Sequence, residues 1–127
     1  MKEIKKWKKM SKVVIVDDEP DIRKMLTLLI QKEGYDTKVA IDGSDFLDKI
    51  ESFNPDIVTL DMMMPGMKTN EILEKLEKKK SNPKVILLTA VRFNRDKKTI
   101  FEQGNVVDYI LKPFDVDLLI DAMKKHS

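Results

Sequence analysis

Residues 57–67 read IVTLDMMMPGM. An apolar, β-branched run ends abruptly in a carboxylate, Asp61, and three methionines and Pro65-Gly66 follow at once. A run this short and this rich in Ile, Val and Leu marks a strand covered on both faces, as in a parallel sheet. A charge at its end belongs at the edge of the sheet, and Pro-Gly supports a turn directly beyond it. The strand therefore serves to hold Asp61 rigidly where the sheet meets solvent. Met62 and Met64 read as packing, because methionine fills irregular gaps.

Working outward, four further segments read as strands: KVVIVD (12–17), YDTKVA (35–40), KVILLT (84–89) and VVDYIL (106–111), with DIVTLD (56–61) as the third in order. Helix-period stretches separate them. In 20–33, Ile22, Met25, Leu26 and Leu29 share one stripe, Pro20 suits the first turn, Asp18 or Glu19 can cap it, and Gly34 stops it. Phe46, Leu47, Ile50 and Phe53 make a stripe in 44–53, and Ile72, Leu73 and Leu76 one in 69–80, whose closing lysines 78–80 suit a helix C-terminus. A more polar helix is predicted over 95–103, and a last over 115–126 with Asp115 as cap. Strand and helix alternate five times. Right-handed crossovers then give an α/β fold, a doubly wound parallel sheet of five strands with helices on both faces.

The 127 residues suit one domain with one full core, and 36% charged against 42% apolar is the balance of an ordinary globular protein. Without cysteine there is no disulfide scaffold and no thiolate metal site. The longest unbroken apolar runs are too short for a spanning helix or a signal peptide, so a cytoplasmic location is expected. The net charge of +2 conceals a basic N-terminal arm, MKEIKKWKKMSK, joined to a net acidic body. The arm, residues 1–11, reads as a solvated tail ahead of one domain at 12–127; Trp7 can pin it to the body or stay exposed.

In an open α/β sheet, ligands bind beyond the carboxyl ends of the strands. The first strand ends in Asp17, followed by Asp18 and Glu19; the third ends in Asp61, the fourth in Thr89, and the fifth leads into Lys112-Pro113. Each has an ordinary structural reading by itself: Asp18 as a helix cap, Thr89 as a strand-end hydroxyl, Lys112 as a solvated side chain. Together they bring carboxylates, a hydroxyl and an ammonium to one edge. Clustered carboxylates raise one another's pKa unless a positive charge joins them. A hard divalent cation suits such oxygens, and Mg2+ usually takes one or two carboxylates along with waters and phosphate oxygens. With Lys112 and Thr89 beside it, the set suits phosphoryl transfer, which needs mainly positioning and charge neutralisation, with Asp61 as candidate nucleophile. Met63 can offer its backbone carbonyl to the cation.

The residues Asp17-Asp18, DMMMPGM (61–67), LLTA (87–90) and YILKPF (109–114) resemble the receiver domain of two-component response regulators, over nearly the whole chain from about Lys12, and a stand-alone receiver resembles the single-domain chemotaxis regulators. The resemblance implies the flavodoxin-like strand order 2-1-3-4-5. It implies Asp61 as phosphoacceptor, loaded from a phosphohistidine of a histidine kinase or phosphotransfer protein. Asp18, Asp61 and the Met63 carbonyl match the metal ligands, Asp17 the partner of a metal-bound water, and the metal is Mg2+, with Mn2+ as the alternative. Thr89 matches the switch hydroxyl, Lys112 the phosphoryl-pairing lysine, Pro113 the proline after it, often cis, and Tyr109 the aromatic switch residue. A downstream protein target is implied, and dimerisation through the surface of helix 95–103, strand 106–111 and helix 115–126 is common among relatives. The family role is that of a phosphoacceptor signalling domain rather than an enzyme.

The chain departs from the usual pattern in three places. Lys68-Thr69 stands where Asp-Gly is common, so Thr69 or Asn70 is expected to cap the next helix. GNVVDY (104–109) has one residue more than usual before the fifth strand. Met63 and Val91 stand where relatives often carry polar side chains beside the hydrolytic water, and slow self-dephosphorylation is expected. Rival readings fit less well. A metal-dependent phosphatase needs a second acid at position 63, which is methionine. No G-x-G-x-x-G follows the first strand, as a dinucleotide site requires. The basic arm with Arg92, Arg95, Lys97 and Lys98 lacks a reading helix for nucleic acid. A scaffold that never takes phosphate would have no need of Asp61, Thr89 and Lys112 together. His126, the only histidine, stands at the chain end, which argues for a donor on another molecule.

Overall fold

The computed structural model describes residues 11–90, 100, 102–113 and 115–127. Trp7 and most of the basic arm, Val91, Arg92, Arg95, Lys97, Lys98 and most of the helix expected over 95–103 lie outside the described residues.

The elements are β1 (Lys12–Val16), α1 (Pro20–Lys32), β2 (Asp36–Ala40), α2 (Gly43–Phe53), β3 (Ile57–Asp61), α3 (Thr69–Glu77), β4 (Lys84–Thr89), β5 (Val106–Leu111) and α4 (Val116–His126). All strand pairs are parallel, in the order β2-β1-β3-β4-β5, the flavodoxin-like arrangement. Sequence order reverses at β1, which lies between β2 and β3, so the crevice opens above the ends of β1 and β3. Apart from Lys12, those two strands are buried along their length because both of their faces are covered. On one face Val14, Val16, Val58, Leu60, Val85 and Leu87 pack under α2 and α3; on the other Val13, Ile15, Ile57, Ile86 and Leu88 pack under α1 and α4. Met62 and Met64 pack against the first of these cores.

Helix starts differ from the sequence expectations in an instructive way. Asp115 caps α4 as expected, accepting from the Asp117 N–H. The N-cap position of α1 is Glu19, but its side chain makes no cap hydrogen bond; Arg23 N–H bonds the Glu19 carbonyl instead. For α3 the cap position is Lys68, not Thr69 or Asn70, and again no side chain caps it. Thr69 is buried inside the first turn, so its hydroxyl cannot serve from outside. The α2 cap is Asp42, which accepts from Asp45 N–H. Helix α3 ends at Glu77, and Lys78–Lys80 follow it rather than forming its last turn.

Strand β5 carries one residue that β4 does not pair. Val85 pairs with Val106, but Ile86 pairs with Asp108, so Val107 has no partner in the ladder. A bulge of this kind shifts every later side chain by one place. Tyr109 therefore lies opposite Leu87 and Leu111 opposite Thr89. Because side chains alternate along a strand, Tyr109 shares the face of Leu87 and Thr89. An unbulged ladder would have set Tyr109 against Leu88, on the α4 side.

The contact of α2 with α3 is closed by a glycine. A Cβ on Gly43 would stand 2.5 Å from Cδ1 and 2.7 Å from Cγ1 of Ile72, which is itself buried. Gly43→Ala is expected to destabilise the chain by about 1–3 kcal/mol through overpacking, outweighing the helix-propensity gain of about 1 kcal/mol. A lowered urea midpoint with an unchanged m value would show it.

Candidate functional site

Four strand ends converge at the crevice. Asp61 is the last residue of β3, a central strand buried along its whole length. Met62 N–H continues the ladder to the Leu88 carbonyl at 3.0 Å, so the backbone on both sides of Asp61 is held. Asp17 follows β1, its N–H bonding the Ala40 carbonyl at 3.2 Å. Thr89 ends β4, and its carbonyl accepts from Lys112 N–H at 2.7 Å. That bond ties the two strand ends together and fixes the point from which the Lys112 side chain extends. The Lys112–Pro113 peptide is cis. Beyond Asp61, Pro65-Gly66 makes the expected turn, and Gly66 has φ +89°, a conformation that a side chain would strain.

Asp17, Asp61 and Thr89 are almost wholly buried at these ends. The Lys112 ammonium reaches back over them, 3.0 Å from Asp61 Oδ1 and 3.9 Å from Asp17 Oδ2. It is not the solvated side chain that its exposed neighbour Pro113 would suggest. Asp61 Oδ1 also accepts from Met63 N–H at 3.0 Å. Both partners thus sit on Oδ1, and among the described residues Oδ2 takes no hydrogen bond. The Met63 side chain itself is 62% exposed.

Asp17 Oδ1 accepts from Glu19 N–H at 2.9 Å, while Asp17 Oδ2 is buried and has no hydrogen-bond partner. Burial pushes the Asp17 carboxyl above its ordinary value, against the Glu19 N–H; Asp61 and Asp18 add to the rise and Lys112 opposes it. One ammonium therefore does not neutralise this set. The acids of Asp17, Asp18 and Glu19 each bring an oxygen within 4.8 Å of the others. A buried carboxylate oxygen with no hydrogen bond, 3.9 Å from the Lys112 ammonium, beside two exposed acids is a donor set for a hard cation with oxygen ligands.

Of the residues expected at the site, Asp17, Asp61 and Lys112 are in direct electrostatic contact, Thr89 stands at the adjoining strand end, and Asp18 is exposed at the rim. Tyr109 lies two residues before the end of β5, 38% exposed. His126 is elsewhere: its Nε2 is 3.4 Å from Asp108 Oδ2, and its carbonyl accepts from Lys84 Nζ at the opposite end of the sheet. Two contributors were not legible as such, the Glu19 N–H and Arg23, whose Nη1 donates to the Asp17 carbonyl at 2.8 Å. The signal for Arg23 was a charged residue one place after Ile22 in the first turn of a helix that begins at an acidic strand end.

Known proteins share this fold. A family model described as response regulator receiver domain matches residues 13–124. Among solved structures, the response regulator protein TrrA from Thermotoga maritima, in complex with Mg(2+)-BeF, is 36% identical, with a TM-score of 0.78 over 93% of this chain and 100% of that one. The receiver domain of the Francisella response regulator 1452 is 32% identical, with a TM-score of 0.80 over 90% of this chain and 93% of its own. The chemotaxis response regulator CheY4 of Vibrio cholerae is 26% identical, with a TM-score of 0.84 over 94% and 100%.

Proposed function

The chain belongs to the response regulator receiver domain family, and from that premise we propose that it accepts a phosphoryl group on Asp61 in a Mg2+-dependent reaction. The donor is the phosphohistidine of a sensor kinase or phosphotransfer protein, and the altered surface controls a downstream protein. Receiver domains are signalling domains, not classical enzymes, and the chemistry here is one covalent event per signal. The basic arm 1–11 precedes a receiver unit at 12–127, working in the cytoplasm. Among the described residues no helix is long and apolar enough to cross a membrane.

The observation that carries the reading is the asymmetry of the Asp61 carboxylate. Oδ1 is held by Lys112 Nζ and Met63 N–H, and Oδ2 is left for reaction. Oδ2 attacks phosphorus; the new bond is O–P, the broken one is P–N, and its electron pair leaves with the imidazole nitrogen of the donor. Lys112 neutralises charge on the oxygens in transit. Asp17, Asp18, Asp61 and the Met63 carbonyl would hold Mg2+, or Mn2+ in its place, and Glu19 stands close enough to join them. When bound, the ion supplies charge neutralisation at the phosphoryl oxygens. The buried Asp17 Oδ2, which takes no hydrogen bond, supports that assignment.

Once formed, the phosphoryl carries about −1.5 to −2 charge and three acceptor oxygens. The Thr89 hydroxyl and Lys112 ammonium turn toward it. Tyr109, on the same sheet face as Thr89 by register, moves into the space that Thr89 leaves. A few charge-assisted hydrogen bonds, about 1.5–3 kcal/mol each, reach the roughly 5.5 kcal/mol needed to invert a 1:99 population. The surface around β5 and α4 then changes, and a downstream protein or a second copy of this chain reads it. The test is phosphoryl gain by the wild type and its loss in Asp61→Asn.

Met63 presents an apolar, exposed side chain where an attacking water would need a polar one. The phosphorylated chain, freed of donor, is expected to lose its phosphoryl group with a half-life longer than a minute, followed by intact mass. A half-life of a minute or less would overturn this.

A further inference from the structure

We infer that Arg23 is a positioning residue for the cation: it sets the peptide that joins Asp17 to Asp18, and through it the place of the Asp18 carboxylate. The inference rests on reading the acidic pocket as the Mg2+ site.

The backbone ladder ends at Asp17. Its N–H makes the last rung to Ala40, and the chain then turns away into α1, so its carbonyl has no strand partner. A carbonyl at a buried strand end needs a donor. The donor is Arg23 Nη1, at 2.8 Å. The side chain of Asp17 is fixed separately, by Glu19 N–H on Oδ1. With the carbonyl and the carboxylate both tied, the peptide plane between Asp17 and Asp18 has little freedom left. That plane decides where Asp18 projects, because Asp18 is exposed and no hydrogen bond holds its own carboxylate among the described residues.

The Arg23 charge also acts on Asp45. Burial raises the Asp45 carboxyl, but Ile41 N–H, Lys49 and then the Arg23 charge bring it below its ordinary value. Asp45 accepts from Ile41 N–H and from Lys49 Nζ, both at 2.9 Å, and Lys49 also donates to the Val39 carbonyl. The guanidinium therefore bonds the end of β1 within electrostatic reach of an anion anchored to the loop after β2. A group that supports a ligand without touching the metal commonly changes metal affinity by about 10–100-fold when removed. Arg suits this role better than Lys, since its planar fork is preorganised and always charged.

The experiment is calorimetric titration of Mg2+ into wild type, Arg23→Met and Arg23→Lys, with melting temperatures taken without metal. In parallel, the phosphorylation rate with acetyl phosphate is followed across Mg2+ concentrations. Arg23→Met, which keeps the packing of the stem, is expected to bind Mg2+ about 10–100-fold more weakly, and Arg23→Lys to recover part of that loss. The half-saturating Mg2+ for phosphorylation rises in step, while the rate at saturating Mg2+ stays near wild type. A purely structural role would lower the melting temperature and leave the affinity of the folded chain alone. A folded variant that binds Mg2+ within about twofold of wild type, well short of the change a supporting group produces, overturns the inference. So does a rate at saturation that falls as far as the affinity. If Arg23→Met does not fold, Arg23→Gln is read by the same criteria. Wild type that binds no Mg2+ removes the parent reading as well, which separates the two failures.

Discussion

Incubated with Mg2+ and acetyl phosphate, the wild-type chain is expected to gain the mass of one phosphoryl group, and Asp61→Asn none. The substitution keeps the shape of the side chain at the end of β3, so the Met63 N–H and the Lys112 ammonium still find an oxygen acceptor there. What it removes is the second carboxylate oxygen, the one that takes no hydrogen bond among the described residues. An amide nitrogen has its lone pair delocalised and does not replace it. The folded state has no need of the missing charge, since Asp61 is one of the groups that push the Asp17 carboxyl up. Asp61→Asn should therefore melt no lower than wild type while losing the reaction altogether. Phosphoryl gain by Asp61→Asn would move the acceptor to another residue, and none by the wild type would remove the proposed function.

Lys112→Met is expected to lower the unfolding free energy by about 3 kcal/mol without metal near neutral pH, the low end for breaking a buried ion pair. The Lys112 side chain is 21% exposed, so solvent screens part of the interaction, whereas Asp17 and Asp61 are 0% and 2% exposed and cannot turn to water. No other described cation pairs with either acid. The loss is limited because Asp17 can take a proton. Its pKa in the folded chain already lies above the ordinary 3.8, from burial first and then from Asp61 and Asp18, and removing Lys112 raises it further. The sign follows from linkage. A carboxyl whose folded pKa is raised binds protons more readily folded than unfolded, so its burden is full above the folded pKa and is relieved as pH falls toward 3.8. Urea titrations should show the deficit of the variant shrinking from neutral toward acid pH. Added Mg2+ should shrink it too, since the acids without Lys112 bind the cation more tightly than in wild type, and each tenfold gain in affinity at saturating metal adds about 1.4 kcal/mol to the folded state. A deficit that grows on acidification would contradict the assigned charge balance.

Most of the fold could be read along the chain because a parallel sheet buried on both faces writes its strands as short apolar runs. KVILLT and VVDYIL match β4 and β5 residue for residue. The other three strands start or stop one residue inside the reading, since Tyr35, Asp56 and Asp17 stand at ends where the ladder is closing. Helix starts were harder. Asp115 was plain, but the caps of α1 and α3 went to backbone geometry and burial, which single-residue preferences do not register. That Val107 becomes a bulge, placing Tyr109 on the face of Thr89, depends on which neighbours β4 offers.

The sequence alone determined the identity and order of the groups at the crevice, Asp17, Asp18, Asp61, Thr89 and Lys112, because each ends or follows a strand and the sheet's topology sends all such ends to one edge. Only the tertiary structure decided how they meet. Lys112 spans Asp61 and Asp17, Met63 N–H takes the same oxygen that Lys112 does, and Arg23 closes the Asp17 carbonyl. The physical reason is that periodicity and propensity are properties of neighbours along the chain. Electrostatic contacts between residues 17, 61 and 112 depend on distances that exist only after the strands pair and the core fills.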